Sequence, residues 1–230
     1  MSLFRMSSGS VNDRAIETLA SASICRYEAA LAEVRSWHEE GCDLEDIYLY
    51  GLVPAAQLLG RWWLDDLIDF VKVTSGTHSL QQILYEFSPQ FLCQAGKKFN
   101  GYSAVFFSGL GSQHSFGSIM LAEFFRREGW QALSIVPESE VDMFKELSQH
   151  WFDVVGFSVS SDRAISALNS LIAEARQVSL NPRALFMVGG PMVDMVPDLA
   201  EVVGADLVGG DARVSERIAR QNLKRLKLAA

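Results

Sequence analysis

The second half of the chain alternates short apolar runs with amphipathic stretches, and this alternation constrains the fold more than any other feature of the sequence. The predicted strands are Ala104–Phe107, Ala132–Val136, Val154–Ser158, Leu185–Val188 and Asp206–Val208. The predicted helices are Phe116–Glu128, Glu140–His150, Arg163–Gln177, a short turn near Pro197–Val203, and Arg213–Lys227. Because strand–helix–strand crossovers are right-handed and place strands in parallel, the pattern predicts an α/β fold with a parallel five-stranded sheet and helices on both faces.

The first half carries helix start and stop signals and no convincing strand. Four helices with short connections are expected: from Asn12 or Asp13 to about Glu40, from Asp43 to near Gly60 with a kink at Pro54, from Asp65 to Thr74, and from Thr77 to Ala95. Such a series favours an all-α four-helix bundle. The predicted organisation is therefore a disordered N-terminus over 1–11, a helical bundle over 12–98 and an α/β domain over 99–230.

Charge and composition exclude several classes of function. The chain has 20 Lys and Arg residues against 28 Asp and Glu residues, a net charge of −8. This balance argues against direct nucleic-acid binding, which needs a basic face. No apolar run has the length of a transmembrane helix, and no secretory signal is recognisable, so a cytoplasmic location is expected. The three cysteines, Cys25, Cys42 and Cys93, form no C-x-x-C pair and predict neither disulfides nor a zinc site, leaving idle thiols or a redox sensor.

Three segments rich in small and polar residues follow predicted strands. They are Gly111-Ser112-Gln113-His114-Ser115-Phe116-Gly117, Ser158-Val159-Ser160 and Gly189-Gly190-Pro191. Each alone has an ordinary explanation as a loop, a helix cap or a tight turn. Ligands of parallel α/β sheets bind beyond the carboxyl ends of the strands, where the chain order reverses. The three segments are therefore expected to meet at one ligand site.

In order and spacing, the three segments together resemble the cobalamin-binding motif of vitamin B12 proteins, which reads Asp-x-His-x-x-Gly, then Ser-x-Leu or a relative, then Gly-Gly. The resemblance implies the flavodoxin-like, Rossmann-like B12-binding fold and a cobalamin cofactor, either hydroxocobalamin or adenosylcobalamin. It implies that His114 is the lower axial ligand of cobalt, a role for which neutral imidazole is suited. It also implies that Ser158, Ser160, Gly189 and Gly190 line a slot for the displaced nucleotide tail.

The resemblance extends into the helical half. The stretch "GLVPAAQLLGRWWLDD", Gly51–Asp66, resembles the helical cap that precedes the B12 fold in methionine synthase and in light-sensing B12 regulators. It implies that Trp63, with Trp62 as its neighbour, lies over the upper face of the corrin. The alternative for both tryptophans is ordinary packing in the bundle.

One departure from the motif shapes the functional hypothesis: Ser112 stands where the family has an aspartate. That carboxylate raises the basicity of the histidine ligand, and a serine hydroxyl supplies no charge. The serine, the cap and the short C-terminus resemble the AerR/PpaA proteins of anoxygenic photosynthetic bacteria, which are close to the heme- or cobalamin-binding sensor domain of the antirepressor AppA. The resemblance implies a light-responsive transcriptional regulator that binds a CrtJ/PpsR-type photosystem repressor, with no catalytic residues and no enzymatic activity.

Three alternatives stay open. The first is a heme sensor of the same fold, because heme also accepts an axial histidine. The second is a corrinoid carrier protein for methyl transfer, and the third is a scaffold that has lost its ligand.

Two smaller features also carry predictions. The candidates for an upper cobalt ligand are His38, His78 and His150, each of which is also compatible with a surface or packing role. The C-terminal stretch "RIARQNLKRLKLAA", Arg217–Ala230, is basic and amphipathic. It is compatible with a solvated final helix or with a docking surface for an acidic patch on a partner.

Overall fold

The computed structural model of the chain describes residues 12–109, 115–159 and 162–228, without the side chains of 162–164 and 194. It divides into two compact units, with the boundary between Gln94 and Ala95. None of the helices in this described part of the chain is long and apolar enough to cross a membrane.

The first unit is helical. Its elements are α1 (Asp13–Cys25), α2 (Tyr27–Glu39), α3 (Leu44–Asp46), a π-helical segment (Ile47–Leu52), α4 (Val53–Leu64) and α5 (Phe70–Ala95). The side chain of Asn12 caps α1 by accepting a hydrogen bond from the backbone N–H of Arg14. Tyr48 and Phe91 pack ring to ring in the core at 4.6 Å, and the Tyr48 hydroxyl donates to the carbonyl of Leu84. The unit therefore has a hydrophobic core of its own.

The helix boundaries in this unit differ from the predicted ones. The predicted first helix is broken at Arg26, whose backbone is extended, and so forms α1 and α2. The predicted third and fourth helices are wrong as separate elements, because α5 runs without a break through Gly76. A Cβ atom at Gly76 would lie 2.8 Å from Cδ1 of Leu59. The glycine that resembles a helix break in the sequence therefore allows α5 to approach Leu59 closely.

Pro54 produces a local change in helix type. It lies in the first turn of α4, directly after the π-helical segment. The N–H of Val53 donates to the carbonyl of Tyr48, five residues earlier. Because proline has no N–H and its ring crowds the preceding turn, the wider π turn accommodates it without breaking the chain of helical residues.

The second unit is an α/β fold with a parallel sheet. Its strands are β1 (Ser103–Phe107), β2 (Gln131–Ile135), β3 (Val154–Ser158), β4 (Leu185–Gly189) and β5 (Leu207–Val208), in the order β2-β1-β3-β4-β5. Its helices are α6 (Phe116–Arg127), α7 (Glu140–Gln149), α8 (Asp162–Val178), a 3₁₀ helix (Pro191–Asp194), α9 (Leu199–Val203) and α10 (Ala212–Leu228). All neighbouring strands are parallel. This is the flavodoxin-like order, and the predicted fold class is confirmed.

The sheet is buried on both faces. Val105 and Phe107 of β1 belong to one hydrophobic cluster, and Ala104 and Phe106 belong to a cluster on the other face. Gly156 of β3 has a packing reason, since a Cβ atom there would lie 2.4 Å from the ring of Phe106. Burial on both faces explains why the strands are continuous apolar runs in the sequence.

Candidate functional site

The strand order places a switch point at β1, whose neighbours β2 and β3 lie on opposite sides. Phe107 at the end of β1 is in register with Ile135 on one side and Phe157 on the other. In sheets of this kind, the crevice beyond such a reversal is where ligands bind. The segment that follows β1 is the one that carries His114.

The predicted site residues Gly111, Ser112, Gln113 and His114 lie outside the described residues, as does Ser160. The structure describes the positions that flank them. Ser108 and Gly109 lead into the histidine segment, and Ser115 leads from it into α6.

A cluster of serine hydroxyls, which sequence reasoning missed, lies where β1 ends and α6 begins. The Ser118 hydroxyl donates to the carbonyl of Ser115 at 2.8 Å. The same oxygen lies 2.7 Å from the Ser108 hydroxyl and 2.9 Å from the Ser134 hydroxyl. With its single hydrogen used on Ser115, Ser118 accepts from the other two and has its hydrogen-bonding capacity filled.

This cluster, Ser108, Ser118 and Ser134, joins β1, β2 and α6 at the carboxyl edge of the sheet. Ser108 and Ser118 are buried. The backbone N–H of Ser108 also donates to the carbonyl of Ile135, one residue beyond the cluster member on β2. The Ser115 carbonyl, to which the Ser118 hydroxyl donates, belongs to the residue directly after His114 in the chain. Serines spaced 10 and 16 residues apart give no periodic signal, so only the strand pairing reveals the cluster.

The ends of β3 and β4 form the second part of the site. Ser158 is paired with Gly189, and the N–H of Val159 donates to the carbonyl of Gly189 at 2.8 Å. Gly190 has φ +101°, and a Cβ atom there would lie 2.7 Å from the carbonyl oxygen of Val159. Gly190 is therefore required by both backbone conformation and space.

Two other glycines border open space. No described atom lies within 4 Å of a Cβ atom built at Gly117 on α6 or at Gly189 on β4. Both are near the carboxyl edge, where β4 ends and α6 begins. Together with the small side chain of Ser158, they leave room beside the ends of the strands.

Not every predicted site residue offers its side chain. Val159 and Phe116 are buried, so these two positions contribute backbone to the edge. Pro191 is exposed and begins the 3₁₀ helix, whose Met192 turns inward and is buried. The short 3₁₀ helix itself was not predicted.

The two candidate tryptophans lie at the carboxyl end of α4 in the helical unit. Trp62 is half-buried, and its carbonyl accepts from the N–H groups of Leu67 and Ile68. Trp63 is 37% exposed, and the neighbouring Leu64 and Leu67 are more exposed still. Trp63 is therefore partly accessible, and its position over a corrin stays a prediction.

The histidines suggested as upper ligands differ in availability. His38 has both ring nitrogens engaged, with Nδ1 3.0 Å from the carbonyl of Cys42 and Nε2 2.8 Å from the amide nitrogen of Gln90. Nδ1 of His150 lies 3.0 Å from a carboxylate oxygen of Glu146. His78 is exposed on α5. His38 is thus a packing histidine.

The described ionisable groups do not assemble a metal site. Among the residues that the structure describes, no three His, Cys, Asp or Glu side chains are grouped to hold a metal ion. The thiols of Cys25, Cys42 and Cys93 are free; Cys25 and Cys93 are exposed, and burial raises the pKa of the Cys42 thiol. The described side chains that line the carboxyl edge, Ser108, Ser118, Ser134 and Ser158, are neutral hydroxyls.

Known proteins resemble this chain both in structure and in sequence. A structure described as Methanosarcina barkeri monomethylamine corrinoid protein superposes with a TM-score of 0.73, covering 92% of this chain and 100% of that chain at 15% identity. That likeness shows a shared fold. A curated relative from Rhodobacter capsulatus, described as an uncharacterized 20.5 kDa protein in the bchF-crtJ intergenic region, is 23% identical over 168 residues, 73% of this chain and 87% of the relative.

The match to a protein family is more specific than either of these likenesses. The family model described as B12 binding domain matches residues 102–219. The match covers all five strands, the histidine segment and the paired ends of β3 and β4. Since this match spans half of the chain, including the serines and glycines at the switch point, the chain belongs to the B12-binding domain family.

Proposed function

We propose that this protein is a light-responsive, cobalamin-binding transcriptional regulator of the AerR/PpaA type, which acts by binding a CrtJ/PpsR-type repressor and is not an enzyme. The observation that carries the cobalamin part is the small-residue edge formed by Gly117, Ser158 and Gly189 within a B12-binding family member. The regulatory part is supported by the relative whose description places it in the bchF-crtJ intergenic region.

The described residues fit a corrinoid with an extended nucleotide tail. A narrow slot requires positions without side chains, and Cβ atoms at Gly117 and Gly189 would project into space that no described atom occupies. Ser158 adds a hydroxyl that can donate to an amide or phosphate oxygen. The donor that would hold cobalt is His114, since imidazole is a suitable ligand and the sequence offers this histidine at the motif position.

The serine cluster has a positioning role in this proposal. Ser118 fixes the carbonyl of Ser115, and so fixes the end of the segment that carries His114. Ser112, two residues before His114 at the motif position of the aspartate, would offer the ring a hydroxyl and no charge. A neutral partner orients an imidazole without raising its basicity as a carboxylate does, which suits a sensor better than a catalyst of methyl transfer.

When bound, cobalamin supplies a light-labile bond to its upper cobalt ligand. Trp63 and its exposed apolar neighbours Leu64 and Leu67 provide a surface that can respond to what occupies that upper face. A switch requires two states with different contacts, and we propose that this exposed apolar end of α4 contacts different groups in the dark and in the light.

The first test is retention of a corrinoid after desalting. Purified apo protein is mixed with hydroxocobalamin, desalted and examined by absorption, beside His114→Ala and a matched His38→Gln control, a residue whose ring nitrogens both have partners within the helical unit. We expect the wild type and the control to retain the corrinoid with the same spectrum, and His114→Ala to lose it or to show a changed spectrum.

If all three proteins retain the corrinoid with the same spectrum, His114 is not the cobalt ligand. If the wild type retains no corrinoid, the same protein is mixed with hemin, and a Soret band would support the heme sensor instead. A protein that takes up neither would support a scaffold without ligand.

The second test addresses the partner. The protein is loaded in the dark with adenosylcobalamin, whose upper cobalt–carbon bond is light-labile, and is mixed with a CrtJ/PpsR-type repressor before and after illumination. The complex is measured by light scattering. We expect the affinity to differ between the two conditions by about tenfold, or about 1.4 kcal/mol. Equal affinity in the dark and light would contradict the light-responsive role and would direct attention to the corrinoid carrier alternative.

A further inference from the structure

Helix α10 carries a row of cations that runs from its beginning, just after the carboxyl end of β5, to its last turn beside the amino end of β1. On α10, basic residues recur at Arg213, Arg217, Arg220, Lys224 and Lys227. The spacing of four, three, four and three residues places all five on one face of the helix. At ~1.5 Å per residue, this row is about 21 Å long.

The face of α10 beside this row is buried. Its residues Ala212, Ser215, Glu216, Ala219 and Leu223 are buried, and Ala219 and Leu223 join the cluster that covers one face of the sheet. The row of cations is therefore fixed in direction by packing. Arg213, Arg217, Lys224 and Lys227 are exposed, and Arg220 is partly buried.

A shallow groove continues the row across the amino end of β1. It has a volume of about 450 Å³ and is lined by Lys97, Lys98, Asn100, Tyr102, Glu128, Arg220 and Lys224. The ammonium of Lys227 lies 4.2 Å above the ring of Tyr102. We call the five cations of α10, together with Lys97 and Lys98, the basic surface.

Two carboxylates hold parts of the basic surface in place. Arg220 reaches Glu216 at 3.2 Å and Glu128 at 3.4 Å, and Lys97 also pairs with Glu128. Glu216 is buried, and its carboxylate accepts from the indole N–H of Trp130 at 2.8 Å. These two carboxylates balance two of the seven positive charges of the basic surface.

We propose that the basic surface docks an acidic helix of a partner protein, with carboxylates repeated along one face of that helix. Charge complementarity carries this choice: a straight row of cations at helical spacing matches carboxylates at the same spacing. The rest of the chain favours a protein over a nucleic acid, because the net charge of −8 repels an extended polyanion outside the row. A short acidic helix covers the basic surface alone.

The test uses the full chain and needs no cofactor, so its failure and the failure of cobalamin binding are distinguishable. Two fluorescent helical peptides of equal composition are compared by anisotropy. In one, five Glu residues lie on one face at spacings of four, three, four and three; in the other, the same five are spread around the helix.

The variant is Arg217→Gln with Lys224→Gln, two exposed side chains of the basic surface. Its matched control is Lys145→Gln with Arg183→Gln, which removes the same charge from exposed positions on other parts of the unit. All four side chains are exposed, so the variants are expected to unfold at the wild-type temperature, which circular dichroism checks.

We expect the patterned peptide to bind at least about tenfold more tightly than the other peptide, with an affinity that falls as salt is added. The basic-surface variant is expected to weaken this binding about tenfold, and the control less than about twofold. Equal binding of the two peptides, or equal weakening by the control, overturns the proposal. A DNA duplex that binds more tightly than the patterned peptide, and is lost in the variant, also overturns it and assigns the surface to nucleic acid.

Discussion

At the carboxyl edge of the sheet, four described side chains are serine hydroxyls, and Gly189 and Gly190 leave backbone exposed. At the amino edge, Lys97, Glu128 and Arg220 form ion pairs. The first edge is organised by space and by short neutral hydrogen bonds. The second is organised by charge. The edge at which we propose that the corrinoid binds is therefore defined by small residues, and the other edge is defined by long charged side chains.

This contrast has consequences for mutation. At the packed positions of the carboxyl edge there are few alternative arrangements, and at Gly190 a single added methyl group would meet backbone atoms. Long charged side chains at a surface rearrange at little cost. Substitutions at the carboxyl edge are therefore expected to have larger effects on stability than substitutions at the amino edge.

The largest effect is expected for Gly190→Ala. The added methyl carbon would meet the carbonyl oxygen of Val159 at 2.7 Å, at a φ of +101°. Strain and overpacking together are expected to lower the free energy of unfolding by about 3–5 kcal/mol. Denaturant unfolding of the two proteins measures the difference.

Gly204→Ala is the matched control for this change. Gly204 also has positive φ, +72°, but the nearest atom to an added Cβ is 3.6 Å away. Only the backbone strain remains, about 1–2 kcal/mol. An equal loss of stability in the two variants would mean that close approach of β3 and β4 is not what requires glycine at position 190.

The next effect is expected for Ser118→Ala. The change removes three hydrogen bonds and leaves the hydroxyls of Ser108 and Ser134 without their shared partner. We expect a loss of about 2 kcal/mol in the free energy of unfolding. Ser148→Ala, which removes one exposed hydrogen bond to the carbonyl of Lys145, is the control and is expected to change stability by less than about 0.5 kcal/mol. A loss in Ser118→Ala no larger than in the control would contradict the role of the serine cluster.

A smaller effect, on binding alone, is expected for Gly189→Val. No described atom lies within 4 Å of an added Cβ, so the fold is expected to tolerate the change. The larger side chain would enter the slot proposed for the nucleotide tail and weaken cobalamin binding about tenfold, or about 1.4 kcal/mol. Equilibrium dialysis measures the affinity and thermal unfolding checks the fold. Unchanged affinity in a folded variant would place the tail elsewhere.

The smallest effect concerns charge at the amino edge. Burial raises the pKa of Glu216, and the nearby Glu128 raises it further. The hydrogen bond from Trp130 and the charges of Arg220 and Lys97 lower this pKa, but they offset the effect of burial only in part. Because the folded protein then binds the proton more tightly than the unfolded chain, Glu216 favours the folded state below about pH 4.5, and this advantage is lost as the pH rises through the raised pKa.

Glu216→Gln removes this pH dependence while keeping an oxygen that accepts from Trp130. We expect the unfolding free energy of the variant, relative to the wild type, to rise between pH 4 and pH 7. Denaturant unfolding at several pH values measures it, with Glu201→Gln on the exposed face of α9 as the control. A relative stability of Glu216→Gln that is constant across this range would show that Glu216 does not titrate differently in the two states.

Most of the α/β unit follows from local sequence pattern. The runs at 104–107 and 154–158 are apolar because both faces of the sheet are covered, and the predicted strands agree with β1 and β3 to within one residue. In the helical unit, by contrast, the predicted break between two helices near Gly76 was wrong, because α5 is continuous there. A glycine that is read locally as a helix break is, in the folded unit, a point of contact with Leu59.

The sequence by itself determined the order of strands and helices, the apolar character of the strands and the membership of three small-residue segments in one motif, because these depend on residue types along the chain. Only the tertiary structure decided what lies together across it. Ser108, Ser118 and Ser134 meet because β1 pairs with β2 in one register and α6 packs beside them. Position 190 must be glycine because the backbone that follows β3 lies too close to leave space for a Cβ atom. That close approach arises from packing of the strands, and no local sequence pattern records it.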